Sequence, residues 1–190
     1  PLIEDKCFLP DLDAIPPQVA EKANIFFVNY PNNPTAAVAD DAFFEKLIAF
    51  SKELDIVVLA DNAYSEVYFE PEDRPISIMN IKGAKERSIE MHSFSKTFNM
   101  TGWRVGFVVG GKDLIQAFLT LKSNFDSGVF MAIQRAASRA LNHPEAEEFN
   151  KQRTEIFRVR REIIASALDR IGFKYQMPRA GYYFWVHIPK

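Results

Sequence analysis

Residues 92–107 of the chain read HSFSKTFNMTGWRVGF, and the rest of the chain is organised around this stretch. A strand-like run from Ser88 to Met91 leads into it, and a second run, from Val105 to Val109, leads out of it. Between these runs lie two serines, a lysine, two threonines, an asparagine and an arginine, which predict a polar loop between two buried strands. Because α/β folds place their chemistry in loops at strand ends, the loop is a candidate site. Taken alone, such a loop is more often a solvated turn, so its assignment as a functional site depends on residues elsewhere in the chain.

The composition of the chain is that of an ordinary globular protein. Its 190 residues are 47% hydrophobic and 25% charged, enough for one domain or for one domain and part of another. The net charge of -2 and the lack of a basic face give no reason to expect a nucleic-acid partner. The single cysteine, Cys7, excludes an intrachain disulfide and fits a reducing cytosol, so we expect a cytoplasmic protein.

The chain carries no targeting or membrane signal in its sequence. No apolar run approaches the roughly 20 residues of a membrane-spanning helix, and no signal peptide is present. The chain starts at Pro1 without an initiator methionine and ends directly after an apolar, strand-like run. We therefore expect a segment of a longer protein with no membrane partner.

Hydrophobic periodicity predicts an α/β sheet domain followed by a second unit. Buried strands are predicted at 25–28, 56–60, 88–91 and 105–109, and strands of a different layer at 173–176 and 182–188. Helices are predicted at 17–23, after a cap at Asp40 or Asp41, and at 113–122, 131–141 and 145–171. A change in composition near Asn142 predicts a domain boundary, with one unit at 1–142 and the other at 143–190.

Three polar clusters follow predicted strands. They are residues 32–35 (NNPT), residues 61–64 (DNAY) and the loop with Ser93, Ser95, Lys96 and Arg104. The carboxyl ends of parallel strands open on one crevice, so residues far apart in the sequence can meet there.

Each of these residues also has an ordinary structural interpretation. Asn33 before a proline can simply set a turn, and Asp61 can cap a short helix. Tyr64 can be a core ring, Lys96 a surface lysine, and Arg104 the partner of any acid. A turn or a cap requires only one of these residues, so these interpretations do not explain why all of them occur together.

One cofactor would use the whole set. A phosphate needs hydroxyls and an arginine fork, and an aldehyde needs a lysine amine for a Schiff base. A pyridine nitrogen needs a carboxylate that keeps it protonated, and a ring oxygen needs the donors that an amide and a phenol supply. Together these requirements describe pyridoxal 5′-phosphate.

The chain resembles the class I/II aminotransferases of the fold type I pyridoxal-phosphate family over its whole length. The resemblance rests on the motifs Asn-Asn-Pro-Thr, Asp-x-Ala-Tyr and Ser-x-Ser-Lys followed by Gly-Trp-Arg-x-Gly. Residues 29–39 (NYPNNPTAAVA), 95–104 (SKTFNMTGWR) and 124–130 (NFDSGVF) are most similar to the LL-diaminopimelate aminotransferase group. The implied fold is the central and later part of the large domain, a mostly parallel sheet between helices, plus the start of a smaller α+β domain.

The resemblance implies a role for each candidate. Lys96 would be the catalytic lysine that holds the cofactor, and Asp61 would pair with the pyridine nitrogen. Asn33 and Tyr64 would bind the ring oxygen, and Ser93 and Arg104 the phosphate, with Ser95 a lesser candidate. Ala36 departs from the glycine of many relatives, and no loss of activity is expected from it. The family's glycine-rich phosphate loop and its substrate-carboxylate arginine would lie outside the chain, and Arg179 does not match that arginine.

The implied activity is transamination between an amino acid and a 2-oxo acid, with LL-diaminopimelate and 2-oxoglutarate favoured, in a homodimer. An alanine- or aspartate-type aminotransferase is the alternative within the class. A fold type I module that senses an effector without catalysis, and a cofactor-free structural fragment, are the alternatives outside it.

Three further features receive structural interpretations. The three histidines are scattered, so we expect no metal site. Residues 182–185 (YYFW) are predicted to be sheet core, and the arginines of the long helix to form a solvated face. Those arginines are Arg153, Arg158, Arg160 and Arg161.

Overall fold

The structure, a computed structural model, describes residues 1–189 and has a four-stranded sheet at its centre. The strands lie in chain order: β1 Ile25–Asn29, β2 Val57–Asp61, β3 Ser88–Ser93 and β4 Gly106–Gly110. The pairs β1–β2 and β2–β3 are parallel, and β4 runs antiparallel to β3. The expected mostly parallel α/β sheet is therefore confirmed.

Within residues 1–189, six helices surround or follow the sheet. They are α1 Pro17–Ala20, α2 Asp41–Glu53, α3 Phe94–Thr97, α4 Lys112–Phe125, α5 Met131–Leu141 and α6 Ala146–Arg170. Short 3-10 turns occupy Glu4–Lys6, Pro71–Asp73, Ile78–Asn80 and Thr101–Trp103. Gly172, with φ of 73°, follows α6 in the left-handed conformation that commonly ends a helix. Among residues 1–189, no helix combines the length and the apolar composition that crossing a bilayer requires.

The main core lies between α2 and one face of the sheet. Apolar residues at helical spacing place one side of α2 against β1 and β2. The buried residues of this contact include Phe43, Phe44, Leu47, Ile48, Val28, Val58 and Ala60. The packing of α2 on both strands holds β1 and β2 in register, so the two strands end side by side at Asn29 and Asp61.

The prediction that β1 is a fully buried strand is wrong. Val28 is buried, but Phe27 is 58% exposed and Ile25 is exposed as well. In the part of the chain that the structure describes, β1 is an edge strand with α2 on one face only. Alternate residues of an edge strand that is covered on one face point away from the core.

The second sheet is much shorter than the sequence predicts. It consists of β5 Lys174–Tyr175 and β6 Val186–His187, which pair antiparallel. Residues 182–185 lie before β6, so their predicted place in a sheet core is also wrong. Their rings pack individually on other aromatic side chains, Tyr182 on Tyr64 and Trp185 on Phe8. Aromatic composition alone cannot distinguish this packing from a strand.

Candidate active site

Four of the predicted site residues line one open cleft of about 610 Å³: Asn33, Asp61, Tyr64 and Lys96. The cleft lies where β1 and β2 end. The parallel register pairs Asn29 with Asp61, the last residues of the two strands, so the loops that follow leave the sheet side by side. The crevice expected at the carboxyl ends of the strands is thus present.

Asp61 brings a poorly hydrated carboxylate into the cleft. Burial raises the pKa of Asp61 above its ordinary value, while the Ala63 N–H group and nearby His92 act in the opposite direction. The Ala63 N–H donates to Asp61 Oδ1 over 3.1 Å. The second oxygen accepts no hydrogen bond from residues 1–189, so this carboxylate can accept one from a cationic N–H.

Lys96 lines the same cleft from the turn that follows β3. It sits in α3, the single turn that follows β3, and Ser93 caps that turn by accepting the Ser95 N–H over 3.2 Å. Lys96 Nζ lies 5.8 Å from the centre of the Tyr64 ring. Within residues 1–189 no carboxylate forms an ion pair with Lys96, so its amine is not committed to a salt bridge there.

Tyr64 is a buried phenol held by another tyrosine. Its hydroxyl lies 2.8 Å from the hydroxyl of Tyr183, which is 119 positions further along the chain. Burial, together with the neighbouring Tyr183 and Tyr182, raises the pKa of Tyr64 above its ordinary value of 10.0. Tyr64 is therefore protonated at neutral pH and able to donate a hydrogen bond. No sequence pattern points to Tyr183, because only the fold brings its hydroxyl beside that of Tyr64.

Asn33 lies at the exposed rim of the cleft, in a tightly bonded loop. Its backbone N–H donates to Asn29 Oδ1 over 2.8 Å, and Asn32 Oδ1 accepts from the Thr35 hydroxyl over 2.7 Å. Ala36 has φ of 59°, in the left-handed region that glycine adopts without strain. The backbone conformation explains why a glycine would fit at this position.

The structure does not bring the other three predicted residues into this cleft. Ser93 borders a neighbouring cleft of about 790 Å³, together with His92 and Phe107. Ser95 is buried and borders a smaller pocket of about 360 Å³ that it shares with Lys96. Arg104 is exposed, and its Nη1 donates to the Thr101 carbonyl over 3.0 Å. Their assignment to a phosphate remains a prediction.

The predicted solvated face of the long helix is wrong for three of its four arginines. Arg153 is only 7% exposed and donates to main-chain carbonyls of Lys96, Thr97 and Glu66. Arg158 donates to the Phe69 carbonyl and pairs with Glu70, and Arg161 donates to the Pro178 carbonyl. Charge patterning shows that these side chains are cationic but not that backbone carbonyls face them.

The chain belongs to the aminotransferase class I and II family, whose sequence pattern matches residues 2–190. It is 45% identical over 189 residues to the LL-diaminopimelate aminotransferase of Nitratidesulfovibrio vulgaris (strain Miyazaki F). It is 46% identical over 190 residues to the enzyme of that name from Aquifex aeolicus. Each match covers 100% of this chain and 48% of the relative, so the chain spans about half the length of these curated relatives.

Solved structures agree with the family assignment. Substrate-bound BacF from Bacillus subtilis matches 100% of this chain and 47% of its own, with a TM-score of 0.93 and 40% identity. A double mutant of Thermus thermophilus aspartate aminotransferase matches 96% of this chain and 47% of its own, with a TM-score of 0.86 and 27% identity. The fold is thus that of the fold type I aminotransferases.

Proposed function

We propose that the protein is a pyridoxal-phosphate-dependent aminotransferase that moves an amino group between an amino acid and a 2-oxo acid. The observation that carries the proposal is the meeting of Lys96, Asp61, Tyr64 and Asn33 in one cleft. An amine that pairs with no carboxylate of residues 1–189, a partly buried carboxylate and a protonated phenol line the same cleft. Family membership supplies the independent support.

The donor set of the cleft fits the cofactor. Asp61 would hold the protonated pyridine nitrogen, because a carboxylate whose burial raises its pKa gains most from a cationic hydrogen-bond donor. Tyr64 and Asn33 would donate to the ring oxygen. Ser93 and Arg104, with Ser95 in a lesser part, are proposed for the phosphate. When bound, pyridoxal phosphate supplies a ring that withdraws electrons from the substrate Cα.

The chemistry of the chain itself centres on the Lys96 amine. With the cofactor bound, this amine would hold it through its aldehyde, and an incoming amino acid would free the amine. Lys96 Nζ would then take the proton from the substrate Cα and return it, from the same face, to the carbon that carried the aldehyde, acting first as base and then as acid. Asp61, as a carboxylate, would keep the ring nitrogen protonated, and Tyr64 would donate a hydrogen bond to the ring oxygen.

The substrate pair that we propose is LL-diaminopimelate with 2-oxoglutarate, in lysine biosynthesis. Eight curated relatives with that enzyme name support it, at 44–47% identity over the length of this chain. We further propose a cytoplasmic homodimer. An alanine- or aspartate-type specificity is the second candidate, since the fold also matches a Thermus aspartate aminotransferase.

The test is borohydride reduction of the intact protein with pyridoxal phosphate, followed by peptide mapping. We expect a pyridoxyl group on Lys96 and no more than background label on the exposed Lys46. The Lys96→Arg variant is the control and should remain unlabelled. Label on other lysines but not on Lys96 would overturn the proposal.

A substrate screen then separates the candidates. Amino transfer from LL-diaminopimelate to 2-oxoglutarate supports the specific proposal, and transfer from alanine or aspartate alone replaces it with the second candidate. Cofactor on Lys96 without any amino transfer would instead indicate an effector-binding module.

A further inference from the structure

Arg153 carries the most deeply buried guanidinium of α6 and is not part of the proposed cofactor site. Its side chain is 7% exposed, and burial lowers the pKa of the guanidinium, which Glu66 and Tyr68 partly oppose. Within residues 1–189 no carboxylate forms an ion pair with it, and its Nε has no hydrogen-bond partner. A buried cation without a counter-ion must be compensated by hydrogen bonds, and the remaining nitrogens make them.

The guanidinium joins three segments of the chain. Nη1 donates to the main-chain oxygen of Lys96 over 2.9 Å, to that of Thr97, and to Asn150 Oδ1 over 2.7 Å. Nη2 donates to the main-chain oxygen of Glu66. One side chain of α6 thus contacts the turn that carries Lys96 and the loop that carries Tyr64.

The lysine turn depends on outside donors because it is so short. The last four carbonyls of any helix have no partner within the helix, and α3 has only four residues. The Phe94 carbonyl accepts from two later N–H groups, at 3.0 and 3.2 Å, and the Ser95 carbonyl accepts from the Thr101 hydroxyl over 3.3 Å. The two remaining carbonyls, those of Lys96 and Thr97, are the ones that Arg153 binds.

The second attachment fixes the other wall of the cleft. Glu66 lies two residues after Tyr64 and five after Asp61, in the loop that follows β2. By holding Glu66 and Lys96 together, Arg153 sets the separation between the backbone of the lysine and the loop of the carboxylate and phenol. Reacting groups need such support, because small displacements of the backbone cost much of the rate.

We propose that Arg153 is a positioning residue for Lys96, acting through the main-chain carbonyls of Lys96, Thr97 and Glu66. Its place on α6 means that any movement of that helix is transmitted to the lysine turn. The role deepens the proposed function, in which Lys96 holds the cofactor. The hydrogen bonds that Arg153 makes to the three segments do not depend on that function.

Arg158 is the matched control for a purely structural role. It lies on the same helix, donates to the Phe69 carbonyl and pairs with Glu70. It therefore also anchors α6 to the segment after β2, but none of its hydrogen bonds reaches the lysine turn. Removing Arg158 should cost stability without changing the reactivity of Lys96.

The experiment uses the intact protein freed of cofactor, as wild type, Arg153→Lys, Arg153→Ala and Arg158→Ala. Acetic anhydride labels the lysines across a range of pH, and mass spectrometry gives the ratio of Lys96 to Lys46 labelling in each sample. The rate of pyridoxal phosphate capture is followed by absorbance. We expect Arg153→Ala to change the labelling ratio and to slow capture on the order of ten- to a hundred-fold. Guanidinium ion at low concentration should partly restore capture, and Arg158→Ala should match the wild type.

A folded Arg153→Ala variant with wild-type labelling and capture would overturn the proposal, and so would an equal effect of Arg158→Ala. If Arg153→Ala does not fold, Arg153→Lys decides, because one ammonium cannot reproduce the planar fork. Wild-type labelling in Arg153→Lys would then overturn the proposal. If the wild type captures no pyridoxal phosphate, the proposed function fails, while the labelling ratio still tests Arg153.

Discussion

At the scale of single residues, Asp61 shows how a site residue acts against stability. It is the last residue of β2, and burial raises its pKa from the ordinary value of 3.8. Between 3.8 and that raised value the folded chain binds a proton more readily than the unfolded chain, so the unfolding free energy falls as pH rises through this interval. At neutral pH the ionised carboxylate therefore destabilises the cofactor-free fold.

Asp61→Asn is expected to stabilise the cofactor-free protein at pH 7 by about 1 kcal/mol, since active-site polar groups often cost stability. The asparagine oxygen can still accept from the Ala63 N–H, but no charge is buried. The gain should vanish well below pH 3.8, where Asp61 is protonated in both the folded and the unfolded chain. Urea unfolding at the two pH values measures it. The exposed Asp5→Asn variant is the control and should stay within about 0.5 kcal/mol at both; a less stable Asp61→Asn at pH 7 would contradict the argument.

At the scale of elements, α2 shows how a helix end is fixed. The sequence leaves Asp40 and Asp41 as alternative caps, and the structure selects Asp40. Its backbone is extended, with φ of -96° and ψ of 174°, and its Oδ1 accepts the Phe43 N–H over 2.8 Å. The cap matters for the site because α2 covers β1 and β2, whose ends form the cleft.

Asp40→Ala is expected to lower the unfolding free energy by about 1 kcal/mol, because it leaves the Phe43 N–H without its acceptor. Asp41→Ala removes an acid from the first turn but no capping bond, and should cost less than about 0.5 kcal/mol. Urea unfolding of the two variants measures the difference. Equal losses would mean that the helix terminus responds to charge and not to the hydrogen bond.

Over the molecule as a whole, several large apolar side chains are exposed. Phe125 is 79% exposed and Phe130 is 73% exposed, around the end of α4 and the start of α5. On the opposite edge of the sheet, Phe27 is exposed as well. Apolar surface of this extent is typical of faces that another segment or another subunit covers. It is consistent with the proposed homodimer, and the division into units at 1–142 and 143–190 remains a prediction.

The 190-residue chain expressed alone is expected to bind the dye ANS and to self-associate. Replacing Phe125 and Phe130 together by glutamine should reduce both, because these are the most exposed rings next to α4 and α5. Fluorescence and analytical ultracentrifugation measure the two effects. Replacing the buried Phe43 by leucine is the control, since it leaves the surface unchanged. A monomer that does not bind ANS would contradict the prediction.

Patterns along the chain were enough to predict the main elements and the candidate residues of the site. The period of apolar residues placed the main strands and helices, and local motifs at strand ends named Asn33, Asp61, Tyr64 and Lys96, all of which line one cleft. These signals are local: each depends on neighbours within a few positions. The family resemblance rested on the same short motifs.

The distant residues that contact the site became apparent only from the folded chain. The Tyr183 hydroxyl reaches Tyr64 across 119 positions, and Arg153 reaches Lys96 across 57. Most acceptors of Arg153 are main-chain carbonyls, which every residue possesses, so no pattern of side chains in the sequence indicates them. The exposed face of β1 likewise follows from what covers the sheet. Burial and backbone pairing are properties of the packed chain, and for that reason the sequence alone could not assign them.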